Sequence, residues 1–296
     1  MQAEKKQSWL AIWLSLISNL LLTFIKIIIG VTFKSQVLIA DGIHNAGDVI
    51  ASAAAFGAMR ISNQPADDDH PYGHGKAEVL GASFVAVILA LAAIWTGYHS
   101  VAALLGPAPE AHWLALVAAV VSLVWKQGLY LYTLRIGKSV NSKSLLATAY
   151  DHLADVYASL AAVIGIGLAL IGEAYELPYL VYGDPAAGII VSILVMKLAV
   201  DMGREAVDVL MEKNVKQEQI ERYTSLIQAI PEVKRIDRLR AREHGHYVLV
   251  DLRVSIPGEM SIQEGHDVSR KIKRAVMDAD SQVDEVLIHI NPWYNE

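Results

Sequence analysis

Six apolar runs fill most of the first two hundred residues, and each is long enough to cross a hydrocarbon core of about 30 Å as a helix. They span Leu10 to Val31, Val37 to Met59, Val79 to Leu105, Trp113 to Leu134, Leu145 to Ile171 and Ala186 to Val209. With 54% hydrophobic and 19% charged residues, the chain has too little polar surface to keep such runs soluble. The segment Met1 to Ser8 is polar, and the run behind it is too long for a signal sequence and lacks a cleavage site, so it is expected to be a retained first span. The sixth span is expected to begin after the turn Gly183-Asp184-Pro185.

Lysine and arginine sort the loops. Lys5 and Lys6 precede the first span, Arg60 and Lys76 follow the second, and Arg135, Lys138 and Lys143 follow the fourth. The opposite loops hold only Lys34. By the positive-inside rule both termini and the even-numbered loops face the cytoplasm, which in a bacterial setting means the plasma (inner) membrane.

After Met211 the hydropathy changes to that of a small α/β domain. Gln217 to Ile230 reads as an amphipathic helix stopped by Pro231, and Arg235 to Arg242 and Tyr247 to Ile256 alternate as strands around a turn Glu243-His244-Gly245-His246. A second helix, Ile262 to Ala279, precedes a last strand, Val283 to Ile290, which ends before Pro292. The expected fold class is therefore an all-α six-helix membrane domain over residues 1–212, then a cytoplasmic αββαβ domain over 213–296.

Ionisable residues inside a span are costly and need a partner, a cation or water. The second span carries His44 and Asp48 and the fifth carries Asp151 and Asp155, each pair four residues apart and so on one helical face. Two such pairs can supply four ligands to one cation, and clustered carboxylates without a cationic partner would repel. Zero cysteines restrict any metal site to nitrogen and oxygen donors. Asp41 lies three residues before His44 on nearly the same face and is expected to face water beside the ligands, with Asn45 as another neighbour; His152 is expected only to pack. Beyond the second span, Asp67, His70 and His74 fall within one short stretch whose donors can ligate metal. Helix–helix contact through polar side chains, or a plain solvated loop, are the bland alternatives.

These features together resemble the cation diffusion facilitator family, most specifically through the stretch Gln64-Pro65-Ala66-Asp67-Asp68-Asp69-His70-Pro71-Tyr72-Gly73-His74-Gly75-Lys76-Ala77-Glu78. The resemblance covers essentially the whole chain and is similar to bacterial zinc/iron exporters. It implies a homodimeric metal/proton antiporter whose transport site is His44, Asp48, Asp151 and Asp155, with a second site in the loop at Asp67, His70 and His74. It also implies a cytoplasmic-domain site at Asp237, Asp251, His266 and His289, with Asn291 where an acidic residue often sits, and a place for Lys76 and Glu78 in a salt-bridge network at the dimer interface. His44 stands first in one motif and Asp151 first in the other, so one imidazole and three carboxylates are available to Zn²⁺, Fe²⁺, Co²⁺ or Mn²⁺.

The expected function is export of a divalent transition metal, as substrate and regulatory ligand, with no prosthetic group. The alternative is a membrane metal sensor without flux. An enzyme is not expected, because His-Glu-x-x-His is absent, and Gly73-His74-Gly75-Lys76 lacks the upstream glycine and strand of a phosphate-binding loop. A net charge of −6 without a basic stripe argues against nucleic acid as a partner.

Overall fold

The computed structural model describes residues 2–107, 110–139 and 143–294, so Met1 lies outside the described residues. Six long helices come first: α1 (Gln2–Thr32), α2 (Gln36–Ser62), α3 (Lys76–Leu105), α4 (Trp113–Ser139), α5 (Lys143–Ala174) and α6 (Gly183–Leu210). Five of them contain segments long and apolar enough to cross a membrane. The exception is α2, whose hydropathy is lowered by Asp41, His44, Asn45 and Asp48. Those residues are affordable in a span only where neighbouring helices shield them from lipid.

The contacts divide the chain into two units, residues 1–55 with 84–203, and residues 56–83 with 204–296. In the first unit the helix faces separate by size. Trp13, Ile17, Leu21, Phe24 and Ile28 form an exposed apolar stripe at helical spacing along α1, as a lipid-facing surface requires. The interior is instead built from Ala40, Ala93, Ala115, Ala119, Ala162 and Ala187, with Val37, Leu89, Ile166 and Val191 between them. Small residues let membrane helices approach closely, since burial against lipid supplies little driving force. Gly42 shows this beside the site: a Cβ there would lie 2.8 Å from the Ile27 side chain and 3.1 Å from Lys26 on α1.

Helix ends follow the same local chemistry. α6 begins at Gly183 itself, so Asp184 and Pro185 belong to its first turn and not to a turn before it; proline costs little there because that N–H has no helical acceptor. Asp184 accepts from the Val37 backbone at 3.0 Å and pairs with Ser35, while Ser35 Oγ accepts from Leu38 N at 3.4 Å. Together they cap α2. α1, α5 and α6 each end with a residue at positive φ: Lys34 (54°), Glu176 (56°) and Glu212 (59°). In all three the next amide reaches back across the last turn, Ser35 to Gly30, Leu177 to Gly172 and Lys213 to Asp208, at 2.8 to 2.9 Å. Glycine suits this conformation better, so Glu176→Gly should stabilise the protein by up to about 1 kcal/mol. A raised thermal midpoint in detergent would show it.

In the second unit, α7 (Gln217–Gln228), β1 (Arg235–His244), β2 (Tyr247–Pro257), α8 (Ile262–Ala279) and β3 (Val283–Trp293) realise the αββαβ order. The sheet order is β1-β2-β3, with β1 antiparallel and β3 parallel to β2. Val250, Leu252 and Val254 pack with Tyr223 and Ile227 of α7 and with Val268, Ile272 and Val276 of α8. Ser261 and Glu264 form a reciprocal cap at the start of α8.

Two boundaries differ from expectation. The turn between β1 and β2 is only Gly245-His246; Glu243 and His244 pair in the ladder, and Gly245 takes φ 76° as a two-residue hairpin demands. Strand β3 also runs through Pro292 to Trp293, which is tolerable because β3 is an edge strand and the missing N–H can face away from the ladder.

Candidate metal site in the membrane helices

Helices α1, α2, α4 and α5 each turn a polar stripe inward. On α1 it is Ser15, Asn19, Thr23 and Lys26; on α2, Asp41, His44 and Asn45; on α4, Ser122 and Lys126; on α5, His152, Asp155 and Ser159, all buried. The pairing between α2 and α5 is antiparallel in register. His44 Nε2 lies 3.3 Å from Asp155 Oδ1, and Ser159 Oγ donates to Asp41 Oδ2 at 3.1 Å.

The cationic half of this cluster is absent from the sequence-based expectation. Lys26 and Lys126 are both fully buried. Lys26 Nζ sits 2.7 Å from Asp41 Oδ2 and donates to Ser159 Oγ at 3.2 Å. Lys126 Nζ sits 2.5 Å from Asp155 Oδ2 and donates to Asn19 Oδ1 at 2.7 Å. Asp155, one of the three expected carboxylate ligands, therefore has a cationic partner within the protein, as does Asp41, where the expectation had a metal as the only relief for clustered carboxylates. Polar residues at α1 positions 15, 19, 23 and 26 recur at helical spacing, and Lys126 interrupts an apolar run; these were the available signals.

The expected ligands are placed unequally. His44 and Asp155 meet, and Asp48 is half-buried one turn along α2. Asp151 is exposed one turn before Asp155. The four do not form a group as compact as the loop residues below. Asp41 is not water-facing, since it is fully buried against Lys26, and its Oδ1 has no hydrogen-bond partner. Asn45, with its amide turned to satisfy both neighbours, donates to Asp155 Oδ1 at 3.2 Å and accepts from Lys26 at 3.1 Å. His152 does more than pack: its Nε2 is 2.9 Å from Ser15 Oγ and its Nδ1 3.7 Å from Asp155 Oδ2.

Asp67, His70 and His74, in the second unit, do converge, with donor atoms within 4.8 Å of one another. His70 Nδ1 and His74 Nε2 each lie 3.4 Å from an Asp67 oxygen. Donors around a tetrahedral ion at 2.0–2.1 Å would be about 3.3–3.4 Å apart, so the spacing suits a metal. The His70 amide donates to Asp67 Oδ1 at 2.6 Å and holds that carboxyl below its ordinary value of 3.8. The sign follows: Asp67 supports the turn at pH above about 3.8 and loses that role as pH falls through its lowered value. Asp67→Asn should abolish this acid-dependent opening, read as amide exchange across residues 67–74.

Lys76, expected between protomers, pairs within the chain. Its Nζ is 3.2 Å from Glu212, whose other oxygen is 3.6 Å from Arg242, and Arg242 in turn meets Asp251 at 2.5 Å. The Lys76 hydrogen bond holds the Glu212 carboxyl low. The remaining cytoplasmic-domain candidates, which the resemblance places between protomers, lie apart within one chain. Asp237, at a bulge in β1, accepts from Asn291 at 2.9 Å and Ser255 at 2.8 Å, and these bonds keep its pKa low. His289 reaches Asn291 at 3.1 Å; His266 is exposed on α8. Asp251 and His289 line a cavity with Arg238, Arg240 and Arg253, a setting whose charge opposes a cation. His246 stays in the hairpin turn, 2.9 Å from Ser62 Oγ, and His244 is buried, which lowers its pKa.

Residues 12–211 match the cation efflux transmembrane domain, and residues 215–293 match the cytoplasmic domain of cation efflux proteins. The chain belongs to the cation efflux family. It is 44% identical over 283 residues to the manganese efflux system protein MneP of Bacillus subtilis, covering 96% of this chain and 95% of that protein. It is 33% identical over 284 residues to MneS of the same organism, covering 94% and 93%. The chain is thus a cation diffusion facilitator, a metal efflux transporter and not an enzyme, with a C-terminal dimerisation domain.

Proposed function

We propose that this chain exports Mn²⁺ from the cytoplasm in exchange for protons, as a homodimer with both termini cytoplasmic in the plasma membrane. Its transport site is His44, Asp48 and Asp155, with Asp151 at the entry. Residues 1–212 carry transport and residues 213–296 form the cytoplasmic domain. The observation that carries the site is the contact of His44 with Asp155 at the centre of a buried four-helix polar cluster. Support for manganese comes from the oxygen-rich donor set, which suits a hard ion, together with the printed function of MneP and MneS.

Exposure supports the route. With cytoplasmic termini, α2 runs inward and α5 outward, so Asp48 and Asp151 lie on the cytoplasmic side of His44 and Asp155. Asp151 is exposed and Asp48 half-buried, whereas Asp155 is sealed. An ion from the cytoplasm meets Asp151 and Asp48 first, then His44 and Asp155. Carboxylates and imidazole must be deprotonated to ligate, so metal loading releases protons and metal release takes them up, which couples the two fluxes. Asp67, His70 and His74, in the cytoplasmic loop after α2, form a second metal site.

The test is uptake of Mn²⁺, Zn²⁺ and Fe²⁺ into liposomes bearing the purified protein, with and without an imposed pH gradient. Mn²⁺ flux accelerated by an opposing proton gradient is expected. Mn²⁺ flux indifferent to that gradient would leave a facilitator, and preference for Zn²⁺ or Fe²⁺ would reject manganese as the cargo.

A further inference from the structure

The ammonium of Lys126 stands where the transported ion's charge has to go. Asp155 divides its two oxygens between different partners: Oδ1 faces His44 at 3.3 Å and the Asn45 amide at 3.2 Å, and Oδ2 faces Lys126 at 2.5 Å. A divalent ion bound by His44 and Asp155 would lie within a carboxylate's width of a buried ammonium, where like charges repel strongly because little water screens them. Loaded and lysine-paired states of Asp155 therefore compete. Lys126 already donates to a second acceptor, Asn19 Oδ1 on α1 at 2.7 Å, which it can keep while its flexible four-carbon stem lets the ammonium move off Asp155. Lys26 differs, because its carboxylate partner is Asp41 and not one of the proposed ligands.

We propose that Lys126 is a tethered counter-cation that holds Asp155 in the unloaded transporter, lets go of it and stays on Asn19 when metal binds, and pairs with Asp155 again when metal leaves. It keeps the buried carboxylate paired while the empty site resets, and it limits how tightly metal is held, so that release is possible. A tethered cation beside the ligand also favours divalent over monovalent ions, since a monovalent ion brings no more charge to Asp155 than the ammonium it must displace. The proposal rests on the assignment of Asp155 as a transport ligand.

The experiment measures Mn²⁺ affinity of the full chain in detergent, with Asp67, His70 and His74 replaced by alanine to leave the membrane site alone. Lys126→Gln should tighten binding by about tenfold or more, equivalent to about 1.4 kcal/mol, while making the metal-free protein less stable. Lys126→Arg should weaken binding by about tenfold, because a forked guanidinium can grip the carboxylate with two donors. Asp155→Asn should abolish binding. Lys126→Gln with unchanged or weaker affinity would overturn the proposal and leave Lys126 a structural residue. Should Lys126→Gln fail to fold, Lys126→Arg decides: unchanged or tighter binding overturns the proposal equally. Undiminished binding in Asp155→Asn would instead remove the site assignment itself, so the two failures are distinguishable.

Discussion

Asp155→Asn is expected to lower Mn²⁺ flux by at least about 100-fold, the largest functional effect of any single substitution in this chain. Losing a residue that merely supports a metal ligand costs 10–100-fold in affinity, and Asp155 is proposed as a ligand itself. The geometry adds a second cost. Asp155 is the common point of His44, His152, Asn45 and Lys126, so its charge organises residues from α2, α4 and α5 together. Asparagine keeps the size and one oxygen but leaves the Lys126 ammonium buried beside a neutral group. Transport should therefore fail along with a drop in thermal stability. His44→Ala should reduce flux while leaving the Lys126–Asp155 pair in place, and so with little stability loss. Flux assays and thermal midpoints on both variants separate ligand loss from structural loss.

The second large effect is on stability and lies at Lys26 and Asp41. Both side chains are fully excluded from solvent, and their 2.7 Å contact joins α1 to α2. Breaking a buried pair by removing one partner costs about 3–5 kcal/mol, because the remaining charge is stranded, whereas removing both often costs little. Asp41→Asn and Lys26→Met should each be severely destabilising in detergent. The double variant should recover most of the loss, giving a coupling energy of several kcal/mol in a double-mutant cycle. Additive losses would mean the pair is not a coupled ion pair. Asp41 retains an oxygen without a hydrogen-bond partner, so Lys26 is its principal source of stabilisation.

The membrane architecture was legible because a bilayer imposes a length that six runs meet and an apolarity that all but the polar-interrupted α2 meet, and the α/β domain because its periods change from helical to alternating. Site legibility was one-sided. The pairs His44/Asp48 and Asp151/Asp155 stand out as ionisable residues in apolar runs, yet Lys26 and Lys126 are the same kind of anomaly and escape a reading that counts lysines only at span ends. Partner choice is the deeper limit. Nothing in sequence spacing matches Lys126 to Asp155 or Lys26 to Asp41; the first pair is made where α4 packs on α5, and the second where α1 meets α2. The exposure of Asp151 was hidden for a related reason: an i, i+4 spacing puts it on the face of Asp155, but burial along a helix changes within a turn. The loop residues Asp67, His70 and His74 were legible because their geometry is local, set by a turn in which the Asp67 carboxylate accepts from two amides just ahead of it.

The claim that metal crosses at the α2–α5 cluster is tested most directly by counting Mn²⁺ bound per full-length chain. With Asp67, His70 and His74 all replaced by alanine, the account predicts that a membrane-site ion remains and that adding Asp155→Asn removes it. A chain that binds no ion once the loop ligands are gone, or that keeps its ion after Asp155→Asn, would contradict it.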